Sequence, residues 1–175
     1  MFIAGFDIAT SCGVADGEPG KRPRCWTWDL RRAGATRPAR LALLMAYCER
    51  YFAENHVDAL FYEAGMTARV AVHIGCQDDT FALLRGAIGV VEACAGRARI
   101  PVIRAVNVQD ARKHFVGQRS FAKGMSKQRI FEHCKLLRWP AKNLDESDAC
   151  AIWDWGCAQV SPQTSYVSAP LFAGR

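Results

Sequence analysis

Two long helical stretches separate the last three strand-like runs of this chain, and that spacing restricts the sheet it can build. Residues 38–55 stand between the runs 25–28 and 57–62, and residues 79–98 precede the run 101–106. Leu41, Leu44, Met45, Cys48 and Phe52 recur at helical spacing, as do Phe81, Leu84, Ile88, Val91 and Ala95, so each stretch reads as a helix with one apolar face. Strands joined through a helix lie parallel, because the crossover returns the chain to the same end of the sheet. The first three runs, 2–8, 13–15 and 25–28, are too close for crossovers. They predict an antiparallel meander around a Gly- and Pro-rich turn at 16–23. The expected fold is α/β: a mixed five-stranded sheet, a three-strand meander extended by parallel strands, with helices on both faces.

Beyond the fifth strand the pattern predicts a short helix over 108–115, a basic loop over 117–124, and a helix capped by Ser126 that runs through Leu137. Pro140 breaks it. A last helix starts at Asn143, with Glu146 three residues on in a capping-box arrangement. One domain over 1–160 and an irregular tail over 161–175 are expected. No apolar run approaches the roughly 20 residues of a membrane span. The N-terminus lacks the basic and apolar regions of a signal peptide. The eight cysteines form no C-x-x-C pair, which disfavours a zinc ribbon and predicts reduced thiols in a cytoplasmic protein without membrane contact.

Charge is concentrated. Between Arg104 and Lys142 stand ten Lys or Arg against two acids, a surplus of eight within 39 residues. Such a segment is either a solvated helical face or the docking surface of a polyanion.

Four acids stand out by position. Asp7 and Glu63 end the first and fourth strands, so neighbouring strands would present both at one sheet edge. Asp145 and Asp148, three apart at the start of the last helix, share a face, whereas Glu146 is turned toward the cap. Asp154 falls on the other side of that helix. Converging carboxylates repel one another unless a cation neutralises them, and an all-oxygen set suits magnesium. Taken singly, each acid is equally suited to a turn, a cap or a helix dipole.

In combination, "FIAGFDIATSCGVA", "VDALFYEAG" and "LDESDACAIW", with the basic segment "ARKHFVGQRSFAKGMSKQRIFEHCKLL" ahead of the third, resemble the motifs of RuvC-type Holliday junction resolvases. These belong to the RNase H-like nucleases, and the basic segment is most like that of phage and prophage members. The likeness spans about residues 2–160. It implies a crossover junction endodeoxyribonuclease with Asp7, Glu63, Asp145 and Asp148 as catalytic metal ligands. Two Mg2+ ions per site are implied, with Mn2+ as a substitute. It further implies a homodimer that makes symmetric cuts in branched DNA and leaves 5′-phosphates. Lys113, Arg119, Lys123 and Lys127 are the expected DNA contacts, and residues 79–98 the expected dimer helix, with Gly86 and Gly89 allowing close approach. Two positions depart from the family pattern: Ala9-Thr10-Ser11 replaces a glycine after the first aspartate, and Met66 stands where an aromatic wedge is usual. Two other classes fit parts of the sequence. A non-catalytic nucleic-acid-binding module would keep the basic stripe without metal dependence. An actin-like or sugar-kinase-like phosphate-binding protein would need a second lobe, for which the chain has no room.

Overall fold

The computed structural model describes residues 1–162 apart from 74, 76, 119, 120 and 123. Its elements are β1 (Ile3–Asp7), β2 (Ser11–Gly17), β3 (Arg24–Asp29), α1 (Arg37–Glu54), β4 (Ala59–Glu63), α2 (Ala68–His73), α3 (Asp78–Arg97), β5 (Val102–Val106), α4 (Val108–Val116), α5 (Met125–Leu136) and α6 (Leu144–Val160). The five strands form one sheet in the order β3-β2-β1-β4-β5. β1 pairs antiparallel with β2 and β2 with β3; β4 runs parallel to both β1 and β5. This is the mixed sheet that the spacing predicts.

Alternation along the strands sorts their side chains between two cores. Ala4, Phe6, Val14, Leu60 and Tyr62 face α1 and α3. Ile3, Ala15, Ala59 and Phe61 face α4, α5 and α6. By the same parity Asp7, Glu63, Ser11 and Gly13 lie on the α6 side. α6 crosses the middle of that face and is buried from Glu146 to Asp154 without a break. Its close approach requires glycine beneath it. A Cβ on Gly5 would stand 2.5 Å from the Trp153 backbone nitrogen, and one on Gly13 only 2.0 Å from the Asp145 carbonyl oxygen.

Several local expectations change. Asp16 is not a turn residue: β2 runs past it to Gly17, it pairs with Arg24 at the start of β3, and it is fully buried. The Arg24 guanidinium grips both its oxygens at 2.8 and 2.7 Å, and the Tyr51 hydroxyl donates to it at 2.8 Å. That ion pair makes the burial tolerable. Between β4 and α3, residues 68–73 add the short α2. α5 starts at Met125 behind Gly124, whose φ of 81° turns the chain into the helix, so Ser126 lies in the first turn and is not the cap. The apolar stripe of α3 serves its own chain: Val91 and Ala95 are buried in the core shared with α1, and Gly86 faces Leu41. The seven described cysteines are all free. Among the described residues no helix is long and apolar enough to cross a membrane. The expected tail lies outside the described residues from 163 onward.

Candidate active site

Local rules place the four acids. β1 and β4 are adjacent and parallel with Phe6 opposite Tyr62, so the next residue of each, Asp7 and Glu63, emerges at the same edge. Their carboxylates lie near enough for Glu63 to act on Asp7. The first turn of α6 sits over this edge and adds Asp145 and Asp148. That turn is locked by its cap. Asn143 accepts from the Glu146 backbone nitrogen at 2.9 Å and donates to the Glu146 carboxylate at 3.0 Å. The same carboxylate accepts from the Lys142 backbone nitrogen at 2.8 Å and the Thr27 hydroxyl at 3.3 Å. Glu146 therefore fastens the helix start to β3, as its position in the sequence suggests, and stays out of the acid cluster.

Glu63, Asp145 and Asp148 thus all lie near enough to act on or be acted on by Asp7, and the structure adds Ser11 and Arg112 to the acids singled out in the sequence, while Lys127, expected as a DNA contact, turns inward. Ser11 donates to Asp145 Oδ2 at 2.7 Å; the departure from the glycine pattern supplies a hydroxyl that fixes one carboxylate. Lys127 of α5 reaches into the cluster itself, with Nζ 3.1 Å from Asp148, 3.3 Å from Asp145 and 3.9 Å from Asp7. Arg112 of α4 stands near enough for its charge to act on Asp148. The one signal for Arg112 in the sequence was its membership of the basic segment; Lys127, expected on a phosphate, is held by carboxylates of its own chain. Lys113 is exposed on α4, while Arg119 and Lys123 lie outside the described residues. Asp154 is on the far side of α6, as expected, fully buried against His114 Nε2 at 3.0 Å.

Burial dominates the electrostatics. Asp7 is 3% exposed and Asp148 6%. Loss of solvent, and then the hydrogen bond and charge of Glu63, hold the Asp7 carboxyl well above the usual carboxylate range. Burial, followed by the Asp7 charge, pushes Asp148 up to about 6 against the pull of Lys127. Burial also opposes the Lys127 charge, yet Asp148, Asp7 and Asp145 together raise its pKa. Asp7 Oδ2 and Asp148 Oδ1 are buried without a hydrogen-bond partner.

These raised values fix a sign. A carboxyl group that binds its proton more tightly when folded stabilises the fold fully below its ordinary pKa of about 4, and that contribution is lost as pH rises through the folded value. For Asp148 the window is about pH 4 to 6, and the difference is worth roughly 3 kcal/mol at most. Asp148→Asn removes the titration. In metal-free thermal melts the variant is therefore expected to gain stability over the wild type as pH rises from 4 to 7. Added magnesium is expected to raise the wild-type melting temperature more at pH 7.5 than at pH 5. A variant–wild-type difference that stays flat across this range would remove the assigned role of Asp148.

The donor chemistry fits a hard divalent cation: carboxylate oxygens alone, two of them buried and unpartnered. Among the described residues no three His, Cys, Asp or Glu side chains are set as a ready-made shell, and the cation among these carboxylates is Lys127.

No family model matches the sequence, and no curated protein matches it. Solved structures do. A structure of Thermus thermophilus RuvC is similar with a TM-score of 0.63 at 18% identity, covering 87% of this chain and 91% of that one. T. thermophilus RuvC in complex with a Holliday junction substrate is similar with a TM-score of 0.61, again at 18% identity, covering 87% and 90%. The likeness establishes the fold as the mixed-sheet, RNase H-like one of RuvC.

Proposed function

We propose that the chain is a metal-dependent endonuclease that hydrolyses phosphodiester bonds in branched DNA, Holliday junctions among its substrates. The observation that carries this reading is the placement of Glu63, Asp145 and Asp148 around Asp7 at one sheet edge, with two buried oxygens left without a hydrogen-bond partner. It arises on a fold shared with a protein solved on a Holliday junction.

In this reading the four carboxylates would hold Mg2+, with Mn2+ as a substitute. Bound there, the metal would polarise the phosphate and lower the pKa of attacking water. The chain's own residues do the positioning. Ser11 orients Asp145, and the Asn143–Glu146 cap fixes the helix turn that carries Asp145 and Asp148. Arg112 offers positive charge toward the phosphate. Water attacks phosphorus, the bond to the 3′ oxygen breaks, and that oxygen leaves with a proton, so the products are a 5′-phosphate and a 3′-hydroxyl. Lys113, Arg119 and Lys123 are proposed to hold flanking phosphates. Their loss would weaken binding to all sequences alike, read as a salt slope smaller by about 0.9 per contact.

Paired cuts need two sites related by a two-fold axis, which makes the working unit a homodimer. Gly89, Ala93 and Gly96 form the outward side of α3, and a second copy packed there would supply it. Sedimentation as a monomer at micromolar concentration, with and without DNA, would remove that part of the proposal.

The test of the function is incubation with synthetic four-way junctions, flaps and linear duplexes, with magnesium and with EDTA. Magnesium-dependent cleavage of the branched substrates is expected. Junction binding that is indifferent to magnesium and yields no cut strand would leave the non-catalytic binding module as the better reading.

A further inference from the structure

We infer that Lys127 is a built-in stand-in cation, and that a divalent ion enters the carboxylate cluster only as the Lys127 ammonium leaves it. This rests on the metal-site reading above and adds a mechanism of entry to it.

The geometry is specific to this lysine. One ammonium lies within 3.9 Å of three carboxylates from two elements, β1 and α6. The neighbouring cations of α5 point elsewhere: Arg129 pairs with Glu132, and Lys135 lies over the Phe131 ring. Asp7 and Asp148 are almost fully buried, and an isolated pair of such charges would be costly. Lys127 offsets that cost. A divalent ion would seek the same oxygens, and two cations within about 4 Å of each other in a partly buried site repel by several kcal/mol. Lys127 and a divalent ion therefore compete for these oxygens.

The lysine also has a way out. Its side chain is 41% exposed although its head is held inside. It lies on the first turn of α5, just after Gly124. Rotation about its flexible stem carries the ammonium to the mouth of the site without moving the helix. There it faces the side from which a phosphodiester would approach. Metal entry would then convert an internal counter-ion into a substrate contact.

Two measurements on the full chain without DNA test this. The first is magnesium affinity by calorimetry for wild type and Lys127→Met, which keeps the stem and removes the charge. The variant is expected to bind about tenfold more tightly, the factor set by an inward lysine in about nine molecules of ten. The second is reductive methylation of wild-type protein, with Lys127 followed by mass spectrometry. Modification is expected to be slow without metal and several-fold faster in saturating magnesium. If Lys127→Met fails to fold, the methylation result decides alone. Wild-type binding with no tightening in the variant overturns the exchange and leaves the metal site standing. So does tightening without any change in Lys127 reactivity, because that reports charge repulsion at a distance. If neither protein binds magnesium, the metal-site reading falls and the exchange falls with it.

Discussion

Asp7→Asn is expected to cut junction cleavage by about a thousandfold or more while leaving junction binding intact. The size follows from the position. Asp7 is almost wholly buried beside Glu63, and carries an oxygen with no hydrogen-bond partner in the folded chain. An amide preserves the shape but removes the negative oxygen on which metal affinity depends. Electrostatic stabilisation of this kind is worth several kcal/mol, and each 1.4 kcal/mol or so is tenfold in rate. Affinity for DNA comes mainly from cations on phosphates, so filter binding or gel shift should show wild-type retention, or tighter. Removing one of several crowded carboxylates should also raise the melting temperature, the usual reciprocal of a strained functional site. Cleavage at the wild-type rate would dismiss Asp7 from the site.

Gly13→Ala is expected to damage both fold and site. Its Cβ would stand 2.0 Å from the Asp145 carbonyl oxygen and 2.6 Å from the carbonyl carbon. These are backbone atoms in the first turn of α6, so relief requires the helix start to move. Overpacking costs typically 1–3 kcal/mol; at the upper end that lowers the melting temperature by roughly 6–12 °C in a domain of this size. The same movement displaces Asp145 and Asp148 relative to Asp7, and a misplacement of about 1 Å costs on the order of a hundredfold in rate. Thermal melts and cleavage assays on the variant, set against the wild type, read the two effects. A Gly13→Ala enzyme with normal stability and rate would show that α6 does not hold the site as described.

The features legible in the sequence are those set by short-range rules. Apolar runs ending in an acid place Asp7 and Glu63, and an Asn followed three residues later by Glu marks the start of α6. Long helical spacers dictate which strands run parallel. What escaped the sequence depends on non-local packing. Lys127 reads as a cation for DNA phosphates until α5 is laid against α6, and Ser11 as a departure from pattern until its hydroxyl meets a carboxylate 134 residues away. Asp16 resembles a turn acid because its partners, Arg24 and Tyr51, arrive from two other elements. The α3 stripe reads equally well as a face for a partner or for the chain's own core, and helical periodicity cannot tell which surface will cover it.

The central place of α6 imposes a timetable on synthesis. Chains fold from the N-terminus as they emerge, and the sheet has all five strands once Val106 is made. Two of the four carboxylates arrive only with Asp145 and Asp148, on the last helix. Until then Asp7 and Glu63 stand at an open edge, and the groove over Gly5 and Gly13 has nothing in it. A nascent or prematurely terminated chain that stops short of α6 therefore lacks the complete acid set. On the proposed reading, a ribosome translating this message beside DNA releases cutting activity only after α6 has been made.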